Sequence, residues 1–207
     1  MRTRIKICGI TRPEDALATA RLGADAIGLV FYPPSPRAIT LEKAHAIAAA
    51  LPPFVTLVAL FVNPDRGLVE EVIDALPVGI LQFHGDESPT DCERYQRPYI
   101  KAVRMQEGVV LSDAMARFAS AAGLLLDAHR EGMWGGTGER FDWTRIPTDR
   151  TLPLVLAGGL DPDNVREAVR MVRPFAVDVS GGVESAKGIK DAEKMARFIA
   201  RVDGAGS

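Results

Sequence analysis

An α/β fold of the (β/α)8 barrel class is what this sequence predicts, and three observations carry the prediction. Short apolar, β-branched runs alternate along the chain with amphipathic or capped segments, the pattern of a parallel sheet covered by helices. Eight such runs fit into 207 residues, which matches the lower limit for a single-domain TIM barrel of eight parallel strands with outer helices; a doubly wound sheet usually needs fewer strands and a nucleotide-binding switch point. No low-complexity tract or short repeat breaks the alternation.

The predicted strands cover residues 4–8, 26–31, 55–61, 79–83, 99–103, 123–127, 154–157 and 175–179. Between them, Thr11-Arg12-Pro13-Glu14 reads as a capping box with proline in the first turn, and Gly23 as the stop of that helix. Asn63-Pro64, Ser88-Pro89 and Asp161-Pro162 each place a polar cap before a proline whose missing N–H costs nothing at a helix start. In the last helix Ala192, Met195, Ala196, Ile199 and Ala200 fall on one face, expected to pack on the barrel, with Glu193, Lys194, Arg197 and Arg201 toward the other. Residues 1–203 form one domain on this reading, and the Gly/Ser tail 204–207 is expected to fray.

Composition narrows the function classes. An apolar content of 47% supports a real core, while 25 basic and 27 acidic residues nearly cancel and no Lys/Arg-rich run occurs, so the electrostatic footprint of a nucleic-acid binder is missing. No uncharged apolar stretch approaches the ~18 residues of a membrane span, and the N-terminus leads directly into a strand, so a cytoplasmic protein is expected, with no nucleic acid or membrane as partner. Cys8 and Cys92 stand far apart, without a CxxC pair or a ligand cluster, and are expected to be free thiols. The oligomeric expectation stays open between monomer and homodimer.

Catalytic groups of such barrels come from the C-terminal ends of the strands and the loops after them. The polar residues there are Cys8, Arg37, His84, Asp127 and Asp178, joined by the glycine turns Gly158-Gly159 and Ser180-Gly181-Gly182. Each also has a plainer reading. Cys8 taken alone is a buried thiol, Asp127 a cap or loop carboxylate, Arg37 a solvated side chain, His84 a hydrogen-bonded structural histidine, and Asp178 a counter-charge. Cys92, His45 and His129 read as bystanders, and Trp134 and Trp143 as packing for the Gly135–Gly138 loop, with a lid over a ligand as the second choice.

An ordered set of blocks lifts the functional readings. Lys6-Ile7-Cys8-Gly9-Ile10-Thr11 opens the chain, followed by Gly28-Leu29-Val30-Phe31-Tyr32-Pro33-Pro34-Ser35-Pro36-Arg37, Phe61-Val62-Asn63, Gln82-Phe83-His84-Gly85 and Leu125-Leu126-Asp127. Gly135-Gly136-Thr137-Gly138, Leu156-Ala157-Gly158-Gly159-Leu160 and Asp178-Val179-Ser180-Gly181-Gly182-Val183-Glu184 complete the series. Together these resemble the phosphoribosylanthranilate isomerases over nearly the whole chain. The resemblance implies a step of tryptophan biosynthesis, the Amadori rearrangement of an aminoaldose, N-(5'-phosphoribosyl)anthranilate, to 1-(2-carboxyphenylamino)-1-deoxyribulose 5-phosphate, with no cofactor and no metal. It also implies that Asp127 protonates the furanose oxygen, opening the ring to a Schiff base, and that Cys8 removes the proton from the sugar C2. One departure stands out: the family usually reads Asp-x-Ser-Ser-Gly where this chain has Asp178-Val179-Ser180-Gly181-Gly182, so one hydroxyl contact to phosphate is missing.

The chemistry sets requirements on both groups. A free thiol is mostly protonated at neutral pH, so Cys8 needs a cation beside it to act as base. Lys6, two residues earlier on the same strand face, is the candidate, and a buried lysine needs a carboxylate partner, for which Asp178 is expected. Asp127 needs the reverse, a desolvated setting among Leu124, Leu125 and Leu126 that keeps a proton on it. The two anionic groups of the substrate call for Gly158, Gly159, Ser180, Gly181 and Gly182 as a phosphate cradle and for the planar fork of Arg37 on the anthranilate carboxylate. Lys6, His84 and Asp178 complete the expected substrate-binding set. Two rivals remain: a phosphate-binding barrel such as a pentose-phosphate epimerase with a His/Asp metal site, which His45, His84 and His129 supply inadequately, and a non-catalytic barrel that senses a sugar phosphate.

Overall fold

The computed structural model describes residues 2–128 and 141–205. Expectations for His129, Trp134 and the Gly135–Gly138 turn lie outside the described residues, as do the last two residues of the tail.

Eight parallel strands close into a barrel: β1 (Arg4–Cys8), β2 (Ala26–Val30), β3 (Thr56–Phe61), β4 (Ile80–Phe83), β5 (Tyr99–Arg104), β6 (Gly123–Asp127), β7 (Leu154–Leu156) and β8 (Ala176–Val179). β8 pairs back onto β1, so the sheet has no open edge. The predicted runs differ from these by a residue or less at each end. Around the barrel lie α1 (Pro13–Arg21), α2 (Leu41–Ala50), α3 (Arg66–Ala75), α4 (Pro89–Glu93), α5 (Leu111–Arg117), α6 (Val165–Val172) and α7 (Ala192–Asp203). Between β6 and β7 the described residues include a 3-10 turn, Trp143–Arg145. After β8 a short hairpin of β9 (Glu184–Ala186) and β10 (Ile189–Lys190) precedes α7. Among the described residues no helix is long and apolar enough to cross a membrane.

Strand alternation sorts the side chains into two shells. Outward positions such as Ile7, Ile27, Phe61, Phe83 and Leu124 pack under the helices, and Phe31, Phe61, Phe83 and Tyr95 stack in a row with ring centroids 5.6, 6.2 and 6.0 Å apart. Inward positions fill the barrel with Ile100, Ala102, Leu125, Val155 and Ala176, topped by Cys8, Val30, Leu60 and Val62. Above this apolar layer the inward side chains at the C-terminal end include Cys8, Gln82, Asp127 and Asp178.

Helix boundaries follow the expected signals in part. Gly23 (φ 92°) ends α1 in a Schellman arrangement, with the N–H of Gly23 on the Ala20 carbonyl and that of Ala24 on Thr19. Ser88 forms a full capping box with Asp91. Thr11 does not cap α1: its hydroxyl is taken by the Gly188 carbonyl at 2.5 Å, and the helix starts behind Arg12 with Pro13 at its first position. Asn63 is left-handed (φ 45°) and accepts from the Asp86 N–H, while α3 begins after Asp65. Asp161 caps a turn by accepting from Asp163 and Asn164, and α6 starts one turn later than expected. The buried face of α7 is Met195, Phe198, Ile199 and Val202, whereas Ala192 and Ala200 are exposed; the larger apolar side chains set its rotation. Gly204 and Ala205 are hydrogen-bonded to the end of α7.

Candidate active site

One wall of the barrel mouth is built on β1, β2 and β8. Lys6 and Cys8 both point inward, and the parallel register sets Lys6 opposite Asp178. Its Nζ lies 2.9 Å from Asp178 Oδ1, with both side chains nearly sealed from solvent, as the strand spacing predicted. Gly28, in register with Cys8, has to be glycine: a Cβ there would come within 2.7 Å of the Cys8 Sγ and 3.0 Å of the Lys6 Nζ. The thiol and the ammonium therefore converge over one bare backbone position. Burial pushes the Cys8 thiol up, against the pull of the Lys6 and Lys190 ammonium groups. Lys6 is also raised: burial alone would lower it, but Asp178 and the neighbouring thiol hold its proton in place.

A second ionic cluster adjoins the first. Arg37 reaches across Gly9, where a Cβ would lie 2.5 Å from the arginine Cδ, and clasps Glu184 through Nε and one terminal nitrogen, 2.7 Å each. Hairpin pairing brings Lys190 opposite Glu184, and its Nζ donates to Glu184 Oε1 at 2.9 Å and to the Ser180 carbonyl at 3.1 Å. The bidentate hydrogen bond to Glu184 raises Arg37. Glu184 itself is lowered: burial works against its charge, but Arg37 and Lys190 outweigh burial. The arginine fork expected for substrate is thus engaged by Glu184, which leaves the other terminal nitrogen for a ligand.

The opposite wall, on β4 and β6, is built from hydrogen-bonded side chains and a backbone N–H. Asp127 ends β6, buried, with Oδ1 accepting the Ala128 N–H at 2.9 Å and Oδ2 lying 3.1 Å from His84 Nε2. His84 Nδ1 is 3.0 Å from Gln82 Nε2, so both ring nitrogens are engaged. Gly158 (φ 78°) lets the β7 turn approach: a Cβ would fall 2.4 Å from the Ala128 nitrogen and 3.1 Å from Asp127 Oδ1. The loop carrying His84 is fastened from behind, where Glu87 accepts from the N–H groups of Asn63 and Gly85 and meets the Lys101 Nζ at 3.2 Å.

The two walls enclose one cavity of about 400 Å³, a size suited to a small ligand. Cys8, Arg37, His84, Asp127, Gly158, Gly159, Asp178, Ser180, Gly181 and Gly182 all line it, and Lys6 alone of the expected residues lies beneath, behind Asp178. Gly182 is obligatory, since a Cβ would stand 2.0 Å from the Leu160 carbonyl oxygen. At Gly181, where the resembling family carries serine, a Cβ would sit 3.2 Å from the Arg37 guanidinium, so the glycine relaxes the packing around that clasp. His45 is exposed on α2 and Cys92 is buried in α4, neither of them in the cavity. Trp143 packs in the outer core. Gln82, Glu184 and Lys190 are further polar side chains at the site, with no expected role in the sequence. Gln82 could have been found from its spacing, two before His84 on the same face.

A thiol and a carboxyl group facing each other across the mouth, between glycine turns and a guanidinium, define a (β/α)8-barrel isomerase site. The family model for N-(5'-phosphoribosyl)anthranilate isomerase matches residues 5–201. The isomerase of that name from Nitrosococcus oceani is 58% identical over 203 residues, with 98% of each chain covered. Among solved structures, the phosphoribosylanthranilate isomerase of Thermotoga maritima superposes with a TM-score of 0.90 at 41% identity, covering 98% of this chain and 99% of its own. An isomerase in complex with reduced 1-(o-carboxyphenylamino)-1-deoxyribulose 5-phosphate gives 0.83 at 39% identity, with coverages of 98% and 99%. The chain belongs to the N-(5'-phosphoribosyl)anthranilate isomerase family.

Proposed function

We propose that the chain carries out the Amadori rearrangement of N-(5'-phosphoribosyl)anthranilate with Asp127 as general acid and Cys8 as general base. Asp127 gives its proton to the furanose oxygen, the C1–O bond breaks, and the anilino nitrogen takes up the positive charge as a C1=N Schiff base. Cys8 removes the C2 proton, the electron pair forms the C1=C2 bond of an enolamine, and tautomerisation leaves the ketone at C2. Such positioned proton transfers contribute roughly 10²–10⁴-fold each. The observation that carries the reading is that Cys8 and Asp127 line the same cavity from opposite walls, one beside ammonium groups and the other between an imidazole and a backbone N–H.

Supporting the rest of the reading, Gly158, Gly159, Ser180, Gly181 and Gly182 border the cavity at the ends of β7 and β8, where barrels commonly hold phosphate. Arg37, with Glu184 fixing its fork, offers its free terminal nitrogen to the anthranilate carboxylate. Every one of these groups comes from a single chain, so either a monomer or a homodimer would carry complete sites. A cytoplasmic location agrees with the two free thiols and with the biosynthetic role. The test is the loss of phosphoribosylanthranilate fluorescence with purified protein and no added metal, alongside rescue of a tryptophan auxotroph lacking this step. Turnover and rescue are the expected results, and failure of both with a folded protein overturns the assignment.

A further inference from the structure

We propose that Gln82 is the positioning residue of the acid wall: by donating its amide N–H to Nδ1 of His84, it keeps the imidazole proton on Nε2, aimed at Asp127. The inference deepens the acid–base reading above and rests on it. Gln82 lies on the inner face of β4, fully buried, with Nε2 3.0 Å from His84 Nδ1. A ring nitrogen that accepts from the amide carries no proton, so in the neutral ring the proton sits on Nε2, 3.1 Å from Asp127 Oδ2. With the Ala128 N–H on Oδ1 at 2.9 Å, each carboxyl oxygen then meets one donor.

That arrangement matters at the moment Asp127 acts. As its O–H bond breaks and the proton passes to the furanose oxygen, the electron pair stays on the carboxylate and negative charge develops on both oxygens. Donors already in place stabilise that charge without reorganising. With the proton on Nδ1 instead, the Nε2 lone pair would face the developing charge and oppose it. The charged groups bearing on Asp127 are few among the described residues. Arg104, in register with it on β5, holds Asp86 at 2.6 Å, and the β7 residues Ala157 and Gly158 bring no charge. The imidazole tautomer is therefore the adjustable contact.

A second observation concerns the other end of the amide. Gln82 Oε1 is buried and meets no donor among the described residues. An unpaired buried oxygen is destabilising, and an apolar side chain of similar volume would avoid it. The amide is explained by what its nitrogen holds.

The nitrogen-15 shifts of His84 in the native protein read the tautomer without any turnover. The Nε2–H form is expected, and the Nδ1–H form would overturn the proposal. Gln82→Met keeps length and removes the donor; kcat is expected to fall about 10- to 100-fold, less than the roughly 10²–10³-fold of losing a donor outright, with KM changing less than about twofold and the tautomers mixed. Gln82→Glu presents only an acceptor and is expected to move the proton to Nδ1 and to shift the limb of the pH–rate profile that Asp127 sets. A folded Gln82→Met with native kcat, native pH profile and native His84 shifts contradicts the proposal. Because the tautomer is read without substrate, a native protein that shows Nε2–H but does not isomerise tells against the activity reading and leaves the Gln82 assignment standing.

Discussion

The two walls of the barrel mouth solve opposite problems with the same strand alternation. Around Cys8 the structure gathers three cations, Lys6, Arg37 and Lys190, against two carboxylates, Asp178 and Glu184. Around Asp127 it places a backbone N–H and an imidazole that is itself held by an amide. The cation-rich wall is one negative charge short of balance, which a thiolate at Cys8 would supply against the burial that raises the thiol. On the other wall one donor meets each of the two carboxyl oxygens. On the proposed roles, the base is set among positive charges and the acid among hydrogen bonds. The difference teaches that the role of each group is fixed by its neighbours more than by its own chemistry.

The sharpest way to break the comparison is to remove the reacting groups. Cys8→Ala and Asp127→Asn should each lower kcat by roughly 10²–10⁴-fold while circular dichroism and KM stay near native; near-normal turnover in either removes that residue from its role. Next in size, Lys6→Met takes the nearest cation from the thiol and leaves Asp178 buried without its partner. Each unit by which the thiol then rises costs a factor of about ten in thiolate, so activity at neutral pH should fall and the bend of the pH profile should move to higher pH. Denaturant unfolding should show a loss of about 3–5 kcal/mol, the scale for stranding one member of a buried pair. An unchanged pH profile in this variant would mean that the cations do not serve Cys8. A smaller effect is expected from Arg37→Ala: a lost hydrogen bond to a charged group, about 1.5–3 kcal/mol, should appear in KM with kcat much less affected. The smallest comes from Cys92→Ala. That thiol lies in α4 outside both walls, pushed up to about 12 by burial, and its loss should leave kcat within about twofold.

Much of this architecture was readable before any coordinates, because strands and their spacing are local properties. The eight apolar runs fall within a residue of the observed strands; the two-residue repeat along β1 puts Lys6 inside, and the need of a buried lysine for a carboxylate points to Asp178. What stayed hidden depends on distant partners. Glu184 is 147 residues from Arg37, and no pattern near either announces their clasp. Thr11 has the right sequence for a cap, yet its hydroxyl is claimed by Gly188, 177 residues away. Asn63 likewise serves the Asp86 turn and not its own helix. In α7 the alanines suggested a face that Phe198 and Val202 override by size. Tertiary competition for a side chain is what local rules cannot see.

The claim that Cys8 reacts as a thiolate balanced by its cations is tested most directly by titrating that thiol and the reaction together. The carbon-13 shift of the Cys8 Cβ, followed against pH, should show ionisation above the range of an ordinary thiol, since burial raises it. The slope of log kcat/KM against pH should drop by about one, a factor of roughly ten per unit, at that same pH. A bend far from the thiol's own titration, or one that persists unmoved in Cys8→Ala, would contradict the account.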